Sequence, residues 1–392
     1  MGFAMWQSNE LRETHLVRLR FGPKPDYNRW FVRKIGSTAW QPAKPTSITA
    51  RKRLTFMKLR VGLVGLGDAW EVRHRPALRA MNDRFEVRAV CAQVALRAER
   101  AAEEFQAEAV DGYRALTARE DIDAILMLSP QWFGPLPIFA ACESGKAVYC
   151  AAALDLDFEQ AHEVRRRVEE AGIAFMAELP RRHAAATLRL KELIATRLGK
   201  PKILFCHQRK SLTASNGSSP GSHLSPIMNR DLIELVDWCR YVIDAEPTSV
   251  IGVRHGLGES DEEGLYRMMS LDFSQEGKTG EGPMAQISCG HYMPEAWTEA
   301  ISFRPPAGLQ VCCENGVAFV DLPSTLVWFD EAGRHMESLD MERPVGEQLL
   351  ALFHRSITSL VRKTNDLEDA YRALSIVINA EKSFQDGQRV QL

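Results

Sequence analysis

Long apolar runs are missing from the sequence. None approaches the roughly 20 consecutive residues that a bilayer-spanning helix needs, so we expect no membrane segment in the 392 residues. Charge of one sign is not in excess either, because 49 basic residues accompany 51 acidic ones. With 45% hydrophobic residues, the composition excludes a disordered or collagen-like chain, and the length predicts two domains that each bury a core of their own.

Cysteine motifs are absent as well. The eight cysteines include no Cys-x-x-Cys pair, which excludes a disulfide-stapled mini-protein and gives no reason to expect a metal site. Cysteine used in this way is typical of a reducing compartment. We therefore expect a cytoplasmic protein.

Acidic residues are scarce in residues 1–56, which contain 3 of them against 11 basic residues. We expect this basic extension to be disordered or to result from a start assigned too early, since a strand begins directly after Met57. A targeting segment is one alternative, although the apolar stretch of a secretory signal is missing. Nucleic-acid binding by the basic run 51–53 is another, but the rest of the chain is acidic on balance, so we expect no nucleic-acid partner.

From residue 59 onward, strands alternate with helices. Such alternation is typical of a parallel sheet covered by helices on both faces. Asp157, followed by Gln160, has the form of a capping box and marks one helix start. The predicted strands are 59–64, 86–91, 124–128, 147–150 and 173–177, and the predicted helices are 94–105, 136–144 and 158–171.

The turn after the first predicted strand has two glycines, Gly65 and Gly67. Glycines at this point allow the backbone to approach the pyrophosphate of a dinucleotide, next to the N-terminus of the following helix. The third position of that fingerprint normally holds a small residue, and here it is Trp70. The pattern thus predicts a dinucleotide site with an incomplete fingerprint; a tight turn without a ligand is the alternative.

No acidic residue occurs between positions 87 and 98. An NAD site generally has Asp or Glu at the end of the second strand to bind the ribose hydroxyls, and this chain has Ala92 there. Arg97 is the candidate for binding the 2′-phosphate of NADP, although a solvated helix residue would look the same. The sequence therefore leaves the choice between NAD and NADP open.

Several short motifs in a fixed order resemble the Gfo/Idh/MocA family, named for glucose-fructose oxidoreductase, inositol dehydrogenase and MocA. The resemblance extends from residue 59 to the C-terminus. It rests on the order of all the motifs taken together rather than on any one of them. They are Val61-Gly-Leu-Val-Gly-Leu-Gly67, His74-Arg-Pro-Ala-Leu78, Asp121-Ile-Asp-Ala-Ile125, Ser129-Pro130, Gly145-Lys-Ala-Val148, Asp237-Trp-Cys-Arg-Tyr241 and Gly387-Gln-Arg-Val390.

The resemblance implies a Rossmann domain over 57–178 and a C-terminal α/β domain over 179–392 with an open, mostly antiparallel sheet. Because an exposed apolar sheet face is usually covered by a partner, we expect a homo-oligomer through this sheet. It implies NAD(P)-dependent oxidation or reduction of sugars and polyols, and it adds Asp68, Ser129 and Pro130 to the cofactor-binding candidates. The strand-like segments of the second domain are 203–206, 249–254, 267–273, 286–289, 300–303 and 309–313.

The family's catalytic residues do not carry over. Its Glu-Lys-Pro, whose Lys hydrogen-bonds the reacting hydroxyl, corresponds to Ala151-Ala152-Ala153, and a methyl group relays no proton. The family's catalytic His and the Asp before it correspond to Glu234 and Arg230, while Asp237 is kept. Its Asn and second His correspond to Gln131 and Gly134. Enzymatic activity is thus uncertain from the sequence.

Two functions remain open. In the first, Glu234 acts as an acid or base together with Arg230 and Asp237, and arginines such as Arg181 and Arg182 hold a sugar-like or acidic substrate. In the second, the protein is a non-catalytic ligand sensor or the silent subunit of a mixed oligomer. A serine-rich segment, 207–226, is expected to be a loop near the substrate, as a lid or as an ordinary surface loop.

Overall fold

The computed structural model of the protein describes residues 58–151, 154, 156–212, 226–256, 265–275, 277–294, 299, 307–359 and 366–392. Residues 55–392 form one compact unit, which contains two sheets. The extension over 1–56 lies outside the described residues. Within the described part, no helix is both long and apolar enough to cross a membrane.

The first sheet has six parallel strands in the order β3-β2-β1-β4-β5-β6. This order, with helices between the strands, confirms the predicted doubly wound Rossmann fold. The strands are β1 Leu59–Val64, β2 Phe85–Cys91, β3 Glu108–Ala109, β4 Ala124–Met127, β5 Ala147–Cys150 and β6 Phe175–Ala177. The helices are α1 Arg75–Ala80, α2 Ala95–Phe105, α3 Tyr113–Thr117, α4 Pro130–Phe133, α5 Leu136–Glu143 and α6 Phe158–Ala171.

Local interactions determine where helix α6 begins and ends. Asp157 is its N-cap, and the carboxylate accepts a hydrogen bond from the backbone N–H of Gln160 at 2.8 Å, as the capping box predicts. Gly172 ends the helix with a φ of 60°, a left-handed conformation that glycine adopts without steric cost. Between these ends, the face with Val164 and Val168 is buried.

Trp70, which occupies the third fingerprint position, is accommodated by a change of helix type. The residues Trp70–His74 form a π-helical turn before α1. Trp70 is buried, and its ring packs edge-on against Phe105 of α2 at 6.0 Å between centroids. A small residue at this position normally allows the helix to pack closely on the sheet. The wider π-helical turn makes room for the large Trp70 side chain instead.

The second sheet has nine strands in the order β14-β13-β12-β11-β7-β10-β9-β8-β15. Only the β7–β10 pair is parallel among the strand pairs described, so the sheet is mostly antiparallel, as predicted. The strands are β7 Pro201–Leu212, β8 Ser249–Gly256, β9 Leu265–Asp272, β10 Met284–Pro294, β11 Leu309–Cys313, β12 Val317–Asp321, β13 Thr325–Asp330, β14 Gly333–Ser338 and β15 Val390–Gln391. The helices are α7 Ala185–Leu193, α8 Pro226–Ile243, α9 Val345–Thr358 and α10 Asp366–Asp386.

The structure differs from the expected elements at two places. The predicted loop starts too early, because β7 continues to Leu212, where it still pairs with Pro294 of β10. The meander β12–β14 is absent from the predicted strands, although buried residues alternate along it in the period of a strand. The predicted strand 300–303 and the segment 213–225 lie outside the described residues.

The two faces of the second sheet have different environments. Helices α8 and α10 cover one face, and a Cβ at Gly252 of β8 would lie 1.9 Å from the backbone oxygen of Ala380. The opposite face, called the outer face below, carries partly exposed apolar side chains. They include Ile203, Ile251, Val253 and Met284.

Helix α9 lies in the C-terminal part of the chain but packs into the core of the first sheet. Leu349, Leu350 and Phe353 are buried there, and the ring of Phe353 contacts Tyr149 of β5 at 5.5 Å between centroids. These three residues lie on one face of the helix, as in an amphipathic helix that packs against a core. Its beginning therefore reaches the edge of the Rossmann sheet where the strands end.

Candidate functional site

A pocket of about 240 Å³, called the inner pocket below, lies where the carboxyl ends of β1, β4, β5 and β6 meet α8. Open α/β sheets bind ligands at this edge. The pocket thus joins the Rossmann sheet to the helix on which the sequence places its candidate acid–base residues. Its lining is Asp68, Ala69, Val72, Arg73, His74, Leu128, Ala151, Glu178, Arg230 and Glu234.

A buried carboxylate organises one wall of the inner pocket. Glu178 follows β6 and is 1% exposed. One of its oxygens lies 2.8 Å from Nε2 of His74, and the other accepts a hydrogen bond from Arg73. Burial alone would raise the pKa of Glu178, but His74 and Arg73 more than offset this and lower it to about 2. An ionised carboxylate thus fixes both neighbours.

The cluster of Glu178, His74 and Arg73 was not predicted from the sequence. His74 lies in one of the family-like motifs, but that motif gave it no functional role, and no sequence pattern marked Arg73 or Glu178 as functional. The available signal was Glu178 itself, an acidic residue at the carboxyl end of an apolar strand, which is the edge where such sheets bind ligands.

The opposite wall of the inner pocket comes from α8. Arg230 lies 3.9 Å from the carboxylate of Asp68, whose side chain is 86% exposed. One turn further, Glu234 lies 3.3 Å from Nε of Arg181. Arg181 in turn donates a hydrogen bond to Gln208 at 2.8 Å. Two of the three predicted catalytic residues, Arg230 and Glu234, therefore line one pocket.

The third, Asp237, is not among the residues that line the inner pocket. It is 1% exposed and receives a hydrogen bond from Nε of Arg182 at 2.6 Å, with Arg240 3.5 Å away. Arg182 also donates to Asp369 of α10 at 2.7 Å. This network ties α8 to α10 and to the segment before α7, so Arg182 and Asp237 hold the helix in place.

The predicted glycine turn has the geometry of a cofactor cradle. Gly65 has a φ of 76°, and a Cβ there would lie 2.5 Å from Cβ of Ser129. A Cβ at Gly67 would lie 2.2 Å from the backbone oxygen of Leu128. Both positions require glycine, because the turn passes directly over the end of β4. The backbone that a pyrophosphate would approach is thus free of side chains, and the residues fit a dinucleotide.

The ribose end of the predicted cofactor site is a narrow groove, of which about 30 Å³ is enclosed. The structure brings Gly65, Ala92, Arg97 and Ser129 together here, as the sequence predicts for the cofactor contacts. Asp68 lines the inner pocket instead, and the side chain of Pro130 is outside the described atoms. The described residues that line the groove are Gly65, Leu66, Ala92, Gln93, Val94, Arg97, Ser129, Trp132 and Phe133.

Among the residues that the structure describes, this lining contains a guanidinium and an amide but no carboxylate. A carboxylate is the group that would bind the free 2′-hydroxyl of NAD, whereas an arginine accommodates a 2′-phosphate. The structure places Ala151 at the inner pocket, but Ala152, at the family's Lys position, lies outside the described residues.

One cluster among the described residues has metal-ligand chemistry. Potential ligand atoms of Asp231, Cys289 and His291 lie within 4.8 Å of one another. The ammonium of Lys210, however, donates to both oxygens of Asp231, at 2.7 and 2.6 Å. A metal ion would have to displace this cation, so we assign no metal here. The eight cysteines are all free thiols.

The chain is similar in sequence to a known protein family and to curated proteins. The model of an oxidoreductase family with an NAD-binding Rossmann fold, GFO_IDH_MocA, matches residues 59–179. Inositol 2-dehydrogenase 1 of Mycolicibacterium vanbaalenii is 30% identical over 220 residues, which are 53% of this chain and 58% of that protein. A dTDP-3,4-didehydro-2,6-dideoxy-alpha-D-glucose 3-reductase of Actinomadura kijaniata is 36% identical over 119 residues, 30% of this chain and 35% of that protein. The chain thus spans less than two thirds of the length of these curated relatives.

Solved structures extend the likeness in fold beyond the first domain. An oxidoreductase of Thermotoga maritima superimposes with a TM-score of 0.70 at 18% identity, covering 86% of this chain and 98% of that one. An aldose-aldose oxidoreductase of Caulobacter crescentus gives a TM-score of 0.70 at 14% identity, covering 86% and 100%. At these identities, the likeness shows the two-domain fold alone.

Proposed function

We propose that this chain is a member of the Gfo/Idh/MocA family of oxidoreductases, and that it binds NAD(P) and oxidises or reduces a sugar-like or polyol-like small molecule that carries an anionic group. The observation that carries this proposal is the inner pocket, where Arg230 and Glu234 face the carboxyl ends of the Rossmann strands. The curated relatives include inositol and nucleotide-sugar oxidoreductases, which supports the substrate class.

Arg230 would bind the anionic group. Its ion pair with Asp68 spans 3.9 Å to a largely exposed carboxylate, and such a pair contributes little. A carboxylate or phosphate of the substrate would replace Asp68 with a charge-assisted, bidentate hydrogen bond. Arg73 on the facing wall is already paired with the ionised Glu178, so Arg230 is the guanidinium to which we assign the anionic group.

Glu234 would carry out the proton transfer. The bound cofactor supplies the hydride acceptor or donor, as in other nicotinamide-dependent reactions. A carboxylate that faces the pocket can take the proton of the reacting hydroxyl. In the family a lysine helps to remove this proton, and the methyl group of Ala152 cannot do so. Arg181, 3.3 Å from Glu234, orients the carboxylate.

The test is a titration with NAD⁺, NADH, NADP⁺ and NADPH by calorimetry, followed by turnover assays on polyols, aldoses and uronic acids. We expect tight binding of one redox pair and turnover of at least one anionic sugar. Glu234→Gln should lower kcat by about 10²- to 10⁴-fold, the usual contribution of a general acid or base, without loss of cofactor binding. The control is Glu169→Gln, because Glu169 is an exposed residue of α6.

Absence of cofactor binding in the unaltered protein would contradict the first half of the proposal. Full activity of Glu234→Gln would contradict the role of Glu234 even if turnover is found.

The second candidate is a non-catalytic sensor or silent subunit that keeps the ligand site. It is favoured by the methyl side chain at the family's Lys position, Ala152, and by the commitment of Asp237 to an ion-pair network with Arg182. In that case, Ala152→Lys should create little activity, and measurable turnover by the unaltered protein would count against this candidate.

A further inference from the structure

A second, larger cavity adjoins the inner pocket. It has a volume of about 580 Å³ and is called the outer cavity below. Its walls are the π-helical turn and α1 of the Rossmann domain, the turn between β12 and β13, and the segment that leads into α9. Cavities of about 300–1,000 Å³ are the usual size of small-molecule sites.

The two cavities share a wall. Val72, Arg73 and Glu234 line both of them. Arg73 is anchored on its inner side by Glu178, and Glu234 is anchored by Arg181, 3.3 Å away, which itself lines the outer cavity. A molecule whose reacting group lies beside Glu234 therefore has room to extend past this wall into the outer cavity.

Most of the residues that line the outer cavity are apolar. Pro76, Ala77, Pro180, Ala184 and Leu322 contribute hydrocarbon surface there. Apolar walls with a few charged groups at one end favour a ligand of the same pattern, apolar at one end and polar at the other.

Apart from Arg73, Arg181 and Glu234 at or next to the shared wall, the charged side chains of the outer cavity come from the segment 340–347, where acidic groups outnumber basic ones. Asp340 accepts hydrogen bonds from Ser324 and Ser338. Glu342 and Glu347 are also in the lining, with Arg343 3.7 Å from Glu347. A second anionic group would be repelled by this surface, so an uncharged substituent is the better fit.

We propose that the outer cavity is an aglycone site: the substrate is a glycoside-like molecule whose polar, anionic sugar ring lies in the inner pocket and whose uncharged apolar substituent fills the outer cavity. This inference rests on the proposed function and names its substrate class more narrowly. It excludes free polyols such as inositol as the preferred ligands, because they would leave the larger cavity filled only with water.

The experiment compares matched methyl and phenyl β-D-glycosides of glucose, galactose and glucuronic acid. Binding is measured by calorimetry on the full chain with saturating NADPH. Burial of the phenyl ring should strengthen binding by about 10-fold or more over the methyl partner for at least one sugar. The glucuronide pair should bind most tightly, because Arg230 recognises its carboxylate.

Ala185→Phe fills the cavity, since Ala185 is a half-buried residue of its lining. This variant should abolish the advantage of the phenyl glycoside while NADPH binding stays unchanged. Leu188→Phe on the exposed side of the same helix, α7, is the matched control and should keep the advantage. Val72→Trp is a second variant that tolerates the added bulk, because Val72 is 81% exposed and lines the shared wall.

The outcomes separate the two proposals. Cofactor binding without any phenyl advantage, or an advantage that survives both Ala185→Phe and Val72→Trp, overturns the aglycone site and leaves the proposed function standing. Absence of cofactor binding overturns the proposed function itself. A phenyl advantage lost in both cavity variants and kept in Leu188→Phe supports the aglycone site.

Discussion

Gly346, at the beginning of α9, lies directly against Arg73 of the inner pocket: a Cβ built on Gly346 would lie 2.8 Å from the backbone oxygen of Arg73 and 2.9 Å from its Cγ. The C-terminal part of the chain thus sets the position of an arginine on the Rossmann domain. Because Arg73 donates a hydrogen bond to Glu178, the contact with Gly346 also helps to position the buried carboxylate of Glu178.

Gly346→Ala tests this relationship. Alanine favours a helix over glycine by about 1 kcal/mol, but the clash with a backbone atom must be relieved by moving α9 or the π-helical turn, at a cost of about 1–3 kcal/mol. We expect a lower free energy of unfolding in urea and weaker ligand binding in the inner pocket.

Gly308→Ala is the matched control for that substitution. A Cβ at Gly308 would meet its nearest neighbour at 3.6 Å, an ordinary contact. Stability should therefore change little, and ligand binding should not change. Equal effects of the two substitutions would show that α9 does not position Arg73.

The pH dependence of stability should report the carboxylate of Glu178. Its pKa is lowered to about 2 in the folded protein, below the ordinary value of 4.5. The stability that it contributes is therefore fully present above about pH 4.5 and is lost as the pH falls toward about 2. A shift of this size corresponds to about 3 kcal/mol at neutral pH.

Glu178→Gln should remove that contribution. We expect the variant to be less stable than the unaltered protein near pH 7, with a difference that shrinks below about pH 4. Urea unfolding at several pH values measures it, and Glu143→Gln, on an exposed surface, is the control. A difference independent of pH would indicate lost packing rather than lost charge.

Cofactor choice should depend on Arg97. The described residues of the ribose groove include this guanidinium and no carboxylate, so we expect NADP(H) to bind more tightly than NAD(H). A hydrogen bond from arginine to a phosphate contributes about 1.5–3 kcal/mol, which corresponds to about 10- to 100-fold in Kd. Arg97→Ala should therefore weaken NADP(H) binding by that factor and leave NAD(H) binding unchanged.

Calorimetry with all four cofactors makes the measurement, and Arg100→Ala on the same helix is the control, because Arg100 is absent from the lining of the groove. Equal weakening of both cofactors by Arg97→Ala would indicate that Arg97 acts on helix α2 rather than on the phosphate.

How much of this could be predicted from the sequence depends on the distance between partners along the chain. The cap at Asp157 rests on an interaction with Gln160, three residues on, and the structure has it. The glycine at position 65 and the strand alternation of the Rossmann domain are also visible in the sequence. The family resemblance placed α8 near the site, and the structure has Arg230 and Glu234 in one pocket.

Long-range pairing accounts for what the sequence did not reveal. Arg73 and Glu178 are 105 residues apart, and no local pattern links them. Arg182 and Asp237 are 55 residues apart, so the sequence could not show that Asp237 serves the packing of α8. The π-helical turn around Trp70 could not be predicted for the same reason, because the Trp70 ring packs against Phe105 of another helix.

Self-association through the outer face of the second sheet is the remaining prediction. Val253 of β8 is 41% exposed and pairs across the sheet with Met268 of β9, while Ile251 and Ile203 are 37% and 38% exposed on the same sheet. In a monomer these apolar side chains would remain partly exposed to water, and their burial between two copies is favourable by roughly 25 cal/mol per Å². We expect a homo-oligomer by light scattering at micromolar concentration.

Val253→Asp should dissociate this oligomer, because each interface would then bury two carboxylates without partners, at a cost of several kcal/mol. The monomer should keep its cofactor binding, since the ribose groove lies on the other sheet. Val72→Asp is the matched control: Val72 is even more exposed, at 81%, but it lies at the inner pocket and should leave the oligomer intact. A protein that scatters as a monomer, or an oligomer that survives Val253→Asp, would show that the outer face is not the contact surface and that its apolar side chains face solvent.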